Sequence, residues 1–374
     1  MKKLFFIAAV AGAALASCAE NDPAPSTIEQ SAIQFAAPVV TPNSRAQQEI
    51  GTAFSTTKDF NVWAHYYQSG AYDNFANGVE YIGKEPGAAI TAKYDGDPAA
   101  DTWYPMDGSY KFYWPKNGSL TFLNYYPVEI APLVTIDAKG LTITNYVVAD
   151  DNQHDILFSD RLYDQVKANE TAGANYNGIQ FDFHHALSAI LFTVKKGGDY
   201  SGTTLRLHNI KLNNVANTGT FSQNLDDATG KLTNLPPATV QGNESNTPAA
   251  WAVSGSHTYK IKATDDLNYI LTNDAYYTSN SSTTEPLYVD NFRAADWILL
   301  PQRLDVATPV ELEINYSIQH AGYEELMQVH KVNLTGFWEI GKRYIYNITI
   351  SLDPITLAPS VAVWVDGGGI AVTP

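Results

Sequence analysis

The 374-residue chain carries a net charge of −16, with 39 Asp and Glu against 23 Lys and Arg, and it is 12% aromatic but only 17% charged. An acidic balance spread along the chain excludes a nucleic-acid partner, because phosphate neutralisation needs clustered Lys and Arg. A single cysteine excludes an internal disulfide framework, and the abundance of tyrosine favours strands.

The N-terminus reads MKKLFFIAAVAGAALASC. Lys2 and Lys3 precede an apolar run from Leu4 to Leu15, well short of the roughly 20 residues that cross a bilayer core. Residues 1–17 therefore read as an export signal, not an anchor. Leu15-Ala16-Ser17-Cys18 resembles the lipobox of bacterial lipoproteins, in which the thiol is diacylated, the peptide is cut before the cysteine and the new N-terminus is acylated. The alternative is a signal peptide with a chance cysteine. Each lipid contributes about 0.8 kcal/mol per buried CH₂ and stable attachment takes more than one signal, so an acylated Cys18 would hold the precursor to a lipid membrane. Glu20 and Asp22 are similar to the acidic tag that sends some lipoproteins to the outer surface.

Ile28 to Val40 (IEQSAIQFAAPVV) predicts a strand with one apolar side. A Pro/Asn/Ser turn follows, and in it stands Arg45, the first basic residue after Lys3. Beyond it, short β-rich runs recur at 110–114, 120–122, 141–144, 179–183, 190–194, 205–208, 310–314 and 344–350, separated by turn clusters such as PKNGS, DAKG, NVANTG and DDATGK. That spacing predicts β-sandwiches, and the length suits two domains of about 100–200 residues each. The polar stretch from Arg161 to Gly178 is the boundary candidate, and Pro236 to Ser256 reads as an insertion or long loop. At the C-terminus, APSVAVWVDGGGIAVTP (358–374) holds two alternating apolar runs split by three glycines.

Chemistry-bearing patterns are scarce. The eight histidines form no HExxH and have no cysteine partner, so no metal site can be built from local spacing. His184 and His185 are adjacent, and neighbours on a strand face opposite ways; packing and a turn account for them. Acid pairs at 150–151, 226–227, 265–266 and 324–325 read as solvated turns rather than a glycosidase pair. Asp95-Gly96-Asp97 lacks the further ligands of a calcium loop. No catalytic residue, metal ligand or cofactor is expected.

Aromatic segments carry a resemblance. Trp103-Tyr104-Pro105, Tyr113-Trp114-Pro115 and Leu120-Thr121-Phe122-Leu123-Asn124-Tyr125-Tyr126-Pro127, followed by HDILF (154–158), FHHALS (183–188) and GKRYIYNI (341–348), resemble in order and spacing the fimbrillins, subunits of type V pili on Gram-negative gut and oral bacteria. Read without the family, such rings are core and strand-end residues, each burying some 150–250 Å², or else a stacking platform for carbohydrate.

The resemblance implies an all-β protein of two tandem β-sandwich domains (transthyretin-like, Greek-key). Its expected divisions are a signal peptide (1–17), a lipidated leader with the first strand (18–45), an N-terminal sandwich (46–175) and a C-terminal sandwich (176–374) ending in a donor-strand extension (358–374). It also implies that a trypsin-like maturation protease cuts between Arg45 and Ala46, removing lipid and first strand together; an Arg side chain suits an S1 pocket carrying a carboxylate. The vacated groove would accept another subunit's tail, with Val361, Val363, Val365, Ile370 and Val372 as donor-strand residues. Partners would be other pilin subunits and a host glycan or protein ligand. A second reading is a surface lipoprotein that does not polymerise and binds glycans with exposed Trp and Tyr, or a pilus anchor or tip adhesin.

Overall fold

A computed structural model describes residues 31–40, 52–54, 58–83, 89–94, 102–150, 153–172, 177–225, 250–261, 267–271, 297–352 and 356–363. Within them the regular elements are strands and three short 3₁₀ turns, with no α-helix, as the short β-rich runs predict.

In the C-terminal half, Ser188–Lys196 (SAILFTVKK) is buried at every position from Ser188 to Val194, so both faces of the strand are covered there. It lies parallel to Lys342–Ile350 in register from Ala189↔Arg343 to Lys196↔Ile350, with Trp297–Leu299 and Thr356–Val363 outside them. Lys342–Ile350 alternates strictly, sending Tyr344, Tyr346, Ile348 and Ile350 inward. The facing sheet runs His257–Lys260, Thr203–Val215, Glu311–His320, Leu326–Asn333, and its Leu205, Leu207, Leu312 and Ile314 share one buried cluster with Ile348 and Ile350. Two sheets packed through alternating apolar faces form a β-sandwich. Two polar tips within that core pair with each other: the Trp338 indole donates to the Tyr346 hydroxyl at 2.9 Å.

The outer face of this second sheet is stitched by charge. Lys331 Nζ lies 2.8 Å from Glu311 and 3.0 Å from Glu313, and Lys211 lies 3.2 Å from Glu313. Burial opposes ionisation of Glu313, but hydrogen bonds from Lys331, Asn315 and Lys211 outweigh it and bring its pKa down to about 2. A carboxyl lowered in the folded state stabilises above its unfolded pKa and loses that contribution as pH falls through the folded one. Glu313→Gln should therefore flatten the fall in urea midpoint between the ordinary carboxyl value of 4.5 and about 2; parallel curves for the variant and the parent would show that the network carries no stability.

The N-terminal half is built on one twelve-stranded sheet whose main path runs Phe35–Ala36, Thr102–Asp107, Ile90–Tyr94, Phe60–Tyr67, Ser119–Tyr126, Leu157–Ser159, Asp182–His185, Val39–Val40, Thr52–Ala53. Its core is aromatic, with Phe35, Phe54, Phe60, Trp103, Trp114, Phe122, Phe181 and Phe183 in one cluster. A four-stranded sheet, Val134–Asp137, Gly140–Val147, Thr218–Ser222, Ala250–Ser254, draws strands from both halves. Trp63, Leu123 and Tyr125, although early in the chain, belong to the buried cluster of the C-terminal half.

The described parts of two polar stretches, 161–172 with 177–178 and 250–256, hold defined elements; the rest of each lies outside the described residues. Within 161–178, Arg161 is buried and donates to the carbonyls of Asp137 and Ala138 and the hydroxyl of Tyr72, and Leu162–Gln165 pairs with Ser119–Tyr126. Within 236–256, which reads as an insertion or long loop, Ala250–Ser254 is a strand on Thr218–Ser222. One residue decides this: Trp251 is buried against Phe221, and its indole donates to the carbonyl of Ala186 at 2.7 Å.

Candidate functional site: a slot filled by the first strand

One short segment enters the twelve-stranded path twice, as its first strand beside Thr102–Asp107 and again between Asp182–His185 and the last strand, Thr52–Ala53. Phe35–Ala36 pairs antiparallel with Trp103 and Thr102, whereas Val39–Val40, three residues on, pairs parallel with Asp182 and Phe183. Residues 32–40 thus lie between two sheet edges, one at 102–113 and one at 178–183. Ile33 N–H donates to the carbonyl of Phe112 at 2.8 Å, while Ala36 and Val39 donate to Ile179 and Phe181 at 3.0 and 2.9 Å; in return Ile179 donates to Gln34 at 2.9 Å. Open edges are templates for another chain, and here one strand covers two of them.

Alternation makes this strand fit. Ile33 and Phe35 point inward with no exposed surface. The Phe35 ring packs on Phe181, Phe122 and Phe60 at centroid distances of 5.0, 5.5 and 6.0 Å, the Phe122 contact edge-on. The groove floor is completed by Phe54, which meets Phe60, Trp103, Tyr126 and Phe183. Without residues 32–40, the carbonyls of Phe112, Ile179 and Phe181 and the N–H groups of Ile179 and Phe54 would lose their partners, at about 1–3 kcal/mol for each such group left buried.

Two residues of the slot are invisible to sequence patterning. Gly178 has φ +131°, and a Cβ there would stand 2.4 Å from the carbonyl oxygen of Gln34 and 2.8 Å from the carbonyl carbon of Phe35. The first strand lies so close that only glycine fits beneath it. Gly178→Ala should cost more than about 1 kcal/mol and loosen residues 32–40 first; an unchanged urea midpoint and unchanged proteolysis of the first strand would argue against this close approach. The second residue is Glu170, whose carboxylate receives the indole N–H of Trp114 and the backbone N–H of Gln34. Both fall in the stretch that reads as a polar boundary. The only hint in the sequence is a glycine directly before the alternating run that begins at Ile179.

Of the expected site residues, Cys18, Arg45 and Ala46 lie outside the described residues, as do Val365, Ile370 and Val372. Val361 and Val363 belong to the strand Thr356–Val363, paired antiparallel with their own sheet at Tyr344 and Lys342. There Val361 is half exposed, on the outermost strand.

Most rings of the family motifs are core, whereas Tyr113 is 42% exposed and Tyr104 and Tyr126 are partly exposed. All six tryptophans among the described residues are buried, at 7% exposure or less, so none offers an open face to a sugar. His185 is fully buried with Nδ1 2.9 Å from Asp155, and His184 faces Asp160 at 3.4 Å: the HHALS segment is packing. A cavity of about 370 Å³ is lined by Trp63, His65, Phe75, Ala76, Gly78, Glu80 and Ile136, and in its wall Trp63 donates to Glu80 at 3.2 Å. Burial, with Arg161 acting in the same direction against a bond to the Phe75 carbonyl, lowers the pKa of His65 to about 4 and leaves it neutral.

Ser317 lies 2.8 Å from His208 Nε2, yet Glu325 accepts from the serine hydroxyl itself. A hydrolytic triad instead places the carboxylate on the far imidazole nitrogen. Among the described residues no three His, Cys, Asp or Glu converge as a metal site.

These features define a β-sandwich protein whose first strand fills a slot between two sheet edges. The fimbrillin-like family model matches residues 44–364, and the chain belongs to the fimbrillin-like family. Its structure is similar to that of a fimbrial protein from Bacteroides vulgatus, with TM-score 0.50 and 17% identity over 82% of this chain and 92% of the other. It also matches a candidate cell adhesion protein from Bacteroides ovatus (TM-score 0.46, 14% identity, 90% and 98% covered) and the tip fimbrial protein Mfa3 from Porphyromonas gingivalis (0.36, 9%, 89% and 100%). At these identities the first likeness is one of fold. No protein with a curated description matches.

Proposed function

We propose that the chain is a structural fimbrial subunit that polymerises by strand exchange. It is exported as a lipoprotein held to the outer membrane by acylated Cys18 and cut between Arg45 and Ala46 by a trypsin-like protease. It then loses its first strand and receives in its place the C-terminal tail, 358–374, of a neighbouring copy. The observation that carries this reading is the slot itself: residues 32–40 close two sheet edges and fill an aromatic core, so their loss leaves a groove that demands a strand. A subunit that accepts at one end and donates from the other assembles head to tail, and such contacts do not close. Division into sandwiches near residue 175 belongs to the same proposal.

The deciding experiment is the N-terminal sequence and intact mass of the protein recovered from the cell surface, in the parent and in Arg45→Ala. The expected result is a parent chain starting at Ala46 and an Arg45→Ala chain kept as lipidated precursor with no polymer ladder. A parent chain that still starts at acylated Cys18 would end the polymerising reading and favour an anchor or a non-polymerising lipoprotein.

A further inference from the structure

The slot fixes the position of its strand as well as its shape. The Glu170 side chain is only 6% exposed. Its Oε1 takes two donors, the indole N–H of Trp114 at 2.5 Å and the backbone N–H of Gln34 at 3.3 Å. Lys167 meets Oε2. Trp114 is buried and belongs to the groove wall, so the carboxylate is held from behind by a fixed group. Its remaining contact is with the main chain of the first strand.

Elsewhere along the strand, backbone donors meet backbone acceptors: Ile33 on the 102–113 edge, Ala36 and Val39 on the 178–183 edge. At Gln34 a side chain supplies the acceptor. A carboxylate that bonds a main-chain N–H reads position rather than identity, since every residue but proline offers that donor. The next residue on the strand, Phe35, is the one that enters the aromatic pocket, so Glu170 ties the backbone register to the residue that fills the core.

We propose that Glu170 sets the register of any strand in this slot. In a fibre, it accepts a backbone N–H from the segment 358–374 of the neighbouring copy where it accepted that of Gln34. This rests on the reading of the slot as an acceptor groove. The donor position facing Glu170 can be any residue except proline, and the residue after it must enter the pocket of Phe60, Phe122 and Phe181.

The test starts with the full-length chain. Glu170→Ala should speed amide exchange at Ile33, Gln34 and Phe35 by roughly tenfold or more, while Val39 and the strand Ser188–Lys196 keep their protection. Glu170→Gln, which retains an oxygen acceptor, should stay close to the parent. Exchange in Glu170→Ala equal to the parent, or raised evenly over the whole protein, overturns the assignment. After proteolytic release of the first strand, Glu170→Ala fibres should dissociate at lower denaturant than parent fibres. Parent fibres that form while Glu170→Ala fibres are equally stable overturn the register role alone. A parent that never polymerises overturns the groove reading and the donor half of this proposal with it.

Discussion

Replacing Phe35 with alanine is expected to destabilise the unprocessed protein by about 3–5 kcal/mol, the range for truncating a fully buried phenylalanine. The ring has no exposed surface and touches Phe60, Phe122 and Phe181, which come from three different parts of the chain. Its loss leaves a cavity that these rings, held by Phe54 and Trp103, can only partly collapse. Opening should begin at residues 32–40, and hydrogen exchange would locate it there. On the proposed processing, the same substitution should leave a processed subunit unchanged, because Phe35 would depart with the first strand. A fibre of Phe35→Ala subunits would then match the parent in stability and form at least as fast. If fibre stability fell along with precursor stability, the first strand would have to remain in the fibre, and exchange of this strand would be wrong.

Two truncations at the other terminus should separate two roles of the tail. The strand Thr356–Val363 pairs along its whole length with Lys342–Ile350, from Thr349↔Thr356 to Lys342↔Val363. Its removal, by ending the chain at Ser351, would strip the outer strand from the C-terminal sandwich and should lower the unfolding midpoint of the monomer. Ending the chain at Val363 keeps those pairs. It deletes Val365, Ile370 and Val372, three of the proposed donor residues, and should abolish polymer ladders while the precursor's melting temperature stays near the parent's. Ladders from the chain ending at Val363 would move the donor role to Val361 and Val363, which would then have to leave their own sheet. Loss of monomer stability in that chain would mean instead that residues 364–374 serve their own sandwich.

Much of the fold was legible because strand periodicity is local. Tyr344, Tyr346, Ile348 and Ile350 alternate with polar neighbours, and all four face inward. The short β-rich run at 190–194 announces a strand, and the aromatic motifs at 103, 114 and 122 announce core. Trp251 shows where local reading fails: Gly, Asn, Ser and Pro around it suggest a loop, but one large ring with a distant partner in Phe221 and a carbonyl at Ala186 decides for a strand.

By itself the sequence determined the strand content, the inward faces and, through its ordered aromatic motifs, the family. Only the tertiary structure decided what the first strand does. Alternation says which side of IEQSAIQFAAPVV is apolar, but it cannot say that Phe35 lies beside Trp103 while Val39 lies beside Asp182. Those partners are separated from it by more than sixty and more than a hundred positions, and partner choice between strands is set by global packing rather than by local propensity. Gly178 and Glu170 acquire their meaning in the same way: one is small because a backbone passes over it, and the other is acidic where a main-chain N–H arrives without a strand carbonyl to meet it.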